Sequence, residues 1–236
     1  MRLTELMWTS YYGMRTMPAR FFGKPDVIDK ADPLEHMYHI IRSYEYVKGA
    51  KMPELTTPIL VNFCGQPGAG KSTMAATVFS KLKMLGVNCE LVTEFAKDKV
   101  WEQNGTALAN QVYIFAKQYY RLSRCEDKVD VIITDSPLCL TPLYSREEPT
   151  IDKPLCELAM AIFNKYDNLN YLVRRVKKYN PVGRLQTEAE SDEKGVVLRK
   201  LLDDYKVPYK EVDGKLESTD GIIEDIMNRI AERKCA

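Results

Sequence analysis

Gly65, Gly68, Gly70, Lys71 and Ser72 fall in the octapeptide Gly65-Gln66-Pro67-Gly68-Ala69-Gly70-Lys71-Ser72, directly after the apolar run Pro58-Ile-Leu-Val-Asn-Phe-Cys64. Glycines at these three places let the backbone curl with its N–H groups turned inward, and such a cradle at a helix start attracts phosphate oxygens. In this pattern Lys71 reaches the β- and γ-phosphates, and the Ser72 hydroxyl is a hard ligand for Mg2+. The spacing therefore implies that Gly65, Gln66, Pro67, Gly68, Ala69, Gly70, Lys71, Ser72 and Thr73 bind ATP with Mg2+. Average residue usage would produce the pattern in a chain this long on the order of 1% of the time, so a chance glycine-rich turn is a poor competitor.

Two carboxylates and a cationic stretch could complete this chemistry. Asp135 ends the run Val129-Asp-Val-Ile-Ile-Thr-Asp135, where an acid beside a triphosphate supports Mg2+ or its coordinated water. An aspartate that only caps a strand-to-loop turn is the simpler reading of the same residue. Glu94 ends Asn88-Cys-Glu-Leu-Val-Thr-Glu94, next to the transferable phosphoryl group, where it could orient or deprotonate an acceptor hydroxyl. Its plain alternative is a solvated loop glutamate. The segment Tyr171-Leu-Val-Arg-Arg-Val-Lys-Lys-Tyr-Asn-Pro-Val-Gly-Arg184 holds Arg174, Arg175, Lys177, Lys178 and Arg184 without an acid. It reads as a lid near 174–194, with Arg184 acting in catalysis and Arg175 on the nucleotide, or as an ordinary solvated charge run. The acidic Glu188, Glu190, Asp192 and Glu193 that follow either hold such a lid open or solvate its far side.

These residues need elements to position them. Apolar runs and helical spacings alternate from residue 58 onward, as in a parallel sheet wrapped by helices. The pattern predicts strands at 58–64, 88–94, 129–135, 169–173 and 209–212. It predicts helices over 73–85 (stopped by Gly86), 106–124, 153–165, 195–205 and 220–233. In the 106–124 helix, Leu108, Val112, Phe115, Tyr119 and Leu122 are expected on one face. Right-handed crossovers bring all the strands' C-terminal ends to one edge, where a ligand binds. The expected fold class is α/β: a P-loop NTPase fold, five parallel strands flanked by helices, in a domain spanning 57–236.

Residues 1–56 form an N-terminal extension of different composition, with Trp8, Tyr11, Tyr12, Phe21, Phe22, Tyr38, Tyr44 and Tyr46 among Arg2, Arg15, Arg20 and Lys24, and with a helix expected from Pro33 to Val47. Interleaved rings and cations can stack unpaired bases; rings that simply pack the extension down are the more ordinary reading.

The 236 residues are 45% hydrophobic, enough for one substantial core. A net charge of +1 gives no overall pull toward nucleic acid or acidic lipid. Six cysteines without a C-x-x-C pair, and only two histidines, argue against a zinc site or a disulfide scaffold. No stretch has the apolar length of a membrane span and no leader pattern is seen, so a cytoplasmic protein is expected, in host cytoplasm if viral.

The phosphate loop followed by Thr73, then Glu94-Phe-Ala-Lys97, Gln111, and Ile-Ile-Thr-Asp135-Ser-Pro together resemble the P-loop kinases of the nicotinamide-riboside-kinase and nucleoside or nucleotide kinase group. The likeness covers about residues 58–232. It implies a substrate pocket between the long helix and the lid, and transfer of the γ-phosphoryl group to a hydroxyl of a nucleoside-like acceptor, free or within DNA. In general layout the chain is also similar to virus-encoded kinases acting on the hydroxymethyl group of 5-hydroxymethyluracil in DNA. It departs from the group at Asp135-Ser136-Pro137, where many members carry Asp-Arg or Asp-Thr-Asp, which leaves the substrate side open. Arg121 and Arg146 are candidate substrate-phosphate contacts or surface residues, and homo-oligomerisation is left open. The rival class is a P-loop ATPase or nucleotide switch, whose output is a conformational change.

Overall fold

A computed structural model describes residues 57–145, 149–182 and 186–235. The expectations for residues 1–56, Arg146 and Arg184 lie outside the described residues.

Five strands form one parallel sheet: β1 (Ile59–Cys64), β2 (Cys89–Val92), β3 (Val131–Thr134), β4 (Asp167–Arg174) and β5 (Lys210–Asp213), in spatial order β2-β3-β1-β4-β5. The helices between them are α1 (Lys71–Met84), α2 (Phe95–Trp101), α3 (Gly105–Ala109), α4 (Gln111–Ser123), α5 (Thr141–Tyr144), α6 (Asp152–Phe163), α7 (Glu188–Asp204) and α8 (Ser218–Cys235). The five-stranded α/β fold expected from the sequence is the one observed. No helix among the described residues is long and apolar enough to cross a membrane.

Side chains alternate across the sheet with period two, and both faces are covered. On one face Ile59, Val61 and Phe63 pack with Met74, Val78 and Leu82 of α1 and with Ile222 and Ile226 of α8. On the other, Leu60, Ile132 and Leu172 meet Phe115 and Leu122 of α4, α6, and Leu198 and Leu202 of α7. That second face also holds an amide cluster. Asn62 of β1 donates to the side-chain oxygens of Asn168 (2.9 Å) and Asn170 (2.9 Å) on β4. Asn168 in turn donates to the Phe163 and Tyr166 carbonyls, and Asn170 to that of Pro208.

Two helices differ from the sequence reading. The single helix expected over 106–124 is broken at Asn110, which leaves helical geometry and turns its side-chain oxygen onto the Tyr113 N–H, ending α3 and capping α4. Within α4 the buried stripe is Phe115, Gln118 and Leu122, so that Val112, expected on that face, is exposed and Gln118 takes its place. The helix expected from Gly195 starts at Glu188. Thr187 accepts from the Glu190 N–H while the Glu190 carboxylate accepts from the Thr187 N–H, a reciprocal cap that makes the acidic run the first turns of α7. Helix α2, absent from the sequence reading, begins directly after Glu94.

Gly214, just beyond β5, braces the phosphate loop. A Cβ at this position would sit 2.1 Å from the Ala69 carbonyl oxygen and 3.0 Å from that of Arg174. Both neighbours are backbone, so Gly214→Ala must displace the loop, β4 or both. The expected result is a destabilisation of about 1–3 kcal/mol by overpacking, together with weakened ATP binding, read by thermal melting and calorimetry. A variant with unchanged melting temperature and ATP affinity would show that the loop yields freely.

Candidate active site

The loop after β1 ends at Gly70, whose φ of 101° is one that side chains avoid, and α1 begins at the next residue. The Lys71 ammonium donates to the carbonyls of Gly65 (2.8 Å) and Gln66 (3.2 Å), folding back over the loop it follows. Ser72 and Thr73 are exposed in the first turn of α1. α1 has no acid in its first turn, so the positive end of its dipole faces the loop uncompensated.

Asp135 follows β3 and is only 4% exposed. Its Oδ1 accepts from the Glu94 backbone N–H at 3.0 Å, fixing the neighbouring chain end beside it. Glu94 is the N-cap residue of α2 by backbone geometry, but its carboxylate makes no capping bond. Gln118 of α4 secures the same corner, accepting from the Phe95 N–H at 2.8 Å. Burial pushes the Glu94 carboxyl above its ordinary range; Lys71 opposes this and Asp135 adds to it.

A cavity of about 410 Å3 joins these groups. Lys71, Ser72, Thr73, Glu94 and Asp135 line it, as do Gln111, Phe115 and Gln118 of α4 and Tyr144 of α5, which form its aromatic-and-amide slot. Gln111, Ile114, Phe115 and Gln118 share one helical stripe, so a single face of α4 supplies the wall. Tyr144 is partly exposed, and desolvation of its hydroxyl, reinforced by Glu94, pushes that group up to about 12. It enters the cavity as a neutral donor.

Of the residues singled out from sequence, the structure brings Lys71, Ser72, Thr73, Glu94 and Asp135 into one cavity. Arg175 is not in its wall. Its guanidinium lies 2.6 Å from Asp192 and 3.2 Å from Glu188 and packs over the Tyr179 ring. Arg121 is engaged elsewhere too, pairing with Asp98 and lying over Phe95. Gln118 and Tyr144 went unnoticed in the sequence. A glutamine one stripe position from Phe115 and two turns from Gln111 is the available signal for the first; Tyr144 carries none, because only the path of the chain after β3 brings it to the slot.

The donors present fit Mg2+. Among the described residues no group of three or more His, Cys, Asp or Glu side chains could hold a metal. A cation here would therefore draw on the hard oxygens of Ser72 and Asp135, with phosphate and water completing its shell, as Mg2+ prefers.

A profile of the AAA_28 family, described as an AAA domain, matches residues 60–218, well over half of the chain. The chain belongs to the AAA_28 family. Solved structures similar to this AAA_28 protein include deoxyadenosine kinase from M. mycoides with bound dATP, at 20% identity and a TM-score of 0.45, covering 73% of this chain and 99% of that one. Another is thymidylate kinase from Ehrlichia chaffeensis, at 11% identity and a TM-score of 0.48, covering 74% and 99%. Among curated proteins, none matches the chain by sequence.

Proposed function

We propose that this protein is an ATP-dependent kinase that moves the γ-phosphoryl group to a hydroxyl of a nucleoside-like acceptor. The observation that carries the reading is one cavity in which a phosphate loop, two acids and an aromatic-and-amide slot are continuous. Lys71 and the loop amides hold the triphosphate tail, and Mg2+ bound through Ser72 and Asp135 would supply charge neutralisation of the phosphates. Glu94 orients the acceptor hydroxyl and takes its proton. Phe115 offers a ring for stacking a base, while Gln111, Gln118 and Tyr144 offer amide and hydroxyl groups for its edge. The segment between β4 and α7 acts as the lid over the phosphates, bringing Arg175 and Arg184 to the transferring group, while 188–194, expected within the lid, are the first turns of α7.

The acceptor is either a free nucleoside, nucleotide or nicotinamide riboside, or a 5-hydroxymethyluracil base in DNA turned out of its stack into the slot. The family match to an AAA domain favours a second reading, in which ATP is hydrolysed to drive a conformational change. One experiment separates them: γ-labelled ATP incubated with the protein and a panel of nucleosides, nucleotides, nicotinamide riboside, and DNA with and without hydroxymethylated pyrimidines. Label is expected on one acceptor class, with hydrolysis low until that acceptor is added. Rapid label release as inorganic phosphate, indifferent to every acceptor, would overturn the kinase in favour of the ATPase.

A further inference from the structure

The first turns of α7 are fastened to the phosphate loop by side chains that the proposed chemistry does not use. Ser191 is fully buried, and its hydroxyl donates to the Pro67 carbonyl at 2.7 Å. The neighbouring Asp192 accepts from the Gln66 side-chain amide at 2.7 Å. One turn on, Gly195 leaves the room that the Gln66 side chain occupies, since a Cβ there would sit 2.3 Å from Gln66 Oε1. Pro67 and Gln66 are thus both gripped by α7.

The same two residues hold Arg175. Its guanidinium donates to Ser191 Oγ at 3.3 Å and pairs with Asp192 at 2.6 Å. One pair of adjacent side chains thus touches both the phosphate loop and Arg175, which Glu188 also pairs.

We propose that Ser191 and Asp192 are positioning residues for the phosphate loop, holding Gln66 and Pro67 in the shape that receives the triphosphate. The physical reason is preorganisation. If only a fraction of molecules carries a receptive loop, the apparent dissociation constant rises by the inverse of that fraction. Losing one charge-assisted hydrogen bond to the loop is expected to weaken ATP binding by roughly five- to twentyfold.

The test is ATP affinity, measured by calorimetry with Mg2+ on the full chain, in Ser191→Ala, Asp192→Ala and Asp192→Asn, alongside thermal melting without ligand. Asp192 is on the surface, so its variants remain informative even where Ser191→Ala does not fold. Asp192→Ala is expected to weaken ATP by the stated factor, read directly as the dissociation constant and not through turnover, because the same carboxylate also holds Arg175. Asp192→Asn keeps an oxygen that accepts from Gln66 and is expected to restore most of the affinity. Gln66→Ala combined with Asp192→Ala is expected to be no worse than the weaker single variant. A lowered melting temperature with unchanged ATP affinity in Asp192→Ala would overturn the proposal, as would an Asp192→Asn variant as weak as Asp192→Ala. The inference rests on the ATP-binding reading, and the two fail differently: a wild-type protein that takes up no ATP removes that reading, whereas equal uptake by wild type and Asp192→Ala removes only this one.

Discussion

Lys71→Ala is expected to lower phosphoryl transfer by about a hundred- to a thousandfold, the scale of removing one preorganised charge from a site where negative charge develops. The fold should survive. Lys71 is half-buried on the first turn of α1, its ammonium held by two loop carbonyls and by no part of the hydrophobic core. Melting temperature without nucleotide is therefore expected to stay close to wild type, while the shift produced by ATP shrinks with the lost affinity. Acceptor-dependent turnover near the wild-type rate in a folded Lys71→Ala protein would refute the site assignment.

Glu94→Gln carries the second large effect, an expected loss of about a hundred- to ten-thousandfold in kcat if the carboxylate accepts the acceptor's proton. Glutamine preserves size and the backbone bond from Glu94 N–H to Asp135, so ATP affinity is expected to be nearly unchanged. The pH dependence tests the same residue independently. Because burial raises its carboxyl above the ordinary range, the proton-accepting form appears only at higher pH than for an exposed glutamate. The rate is expected to climb with pH through that raised value and then flatten. Glu94→Gln should abolish this acidic limb along with the rate. For stability the sign is opposite. A carboxyl whose folded value lies above its unfolded one favours folding when protonated, and that contribution is lost as pH rises through the folded value. Wild type should therefore lose stability relative to Glu94→Gln across this window, seen by melting the two proteins at several pH values. A pH–rate profile identical in both would exclude Glu94 as the base.

What was legible in the sequence was local. The phosphate loop is a contiguous run with its chemistry set by residue type, and the strands beside it are apolar enough to announce themselves. Glu94 and Asp135 could be placed because each lies within two residues of the end of such a strand, at the edge where parallel strands present their ends. The break at Asn110 was harder, because asparagine interrupts a helical stripe only when its side chain has an N–H to cap, and the periodicity continues on both sides. The start of α7 was readable in principle: Thr187 with Glu190 three residues on is a helix-start pattern, obscured by taking the acids as a solvated run. Tyr144, and the grip of Ser191 and Asp192 on Gln66 and Pro67, join segments far apart in the chain. No spacing rule reaches them.

The amide cluster on the sheet has a consequence for assembly. The Asn62 amide reaches Asn168 and Asn170 only when β1 and β4 are aligned as observed; a slip of a single residue would turn Asn168 and Asn170 away from Asn62 and strand further polar groups in hydrocarbon, beside the Asn62 side-chain oxygen that is already without a partner. A misaligned sheet is thereby penalised internally, and the tips of these two central strands come out level. That levelling is what lets Gly65 approach the Val173 carbonyl so closely that a Cβ would fall 2.8 Å from it. Three asparagines in the interior act as the gauge that sets the height of the phosphate loop.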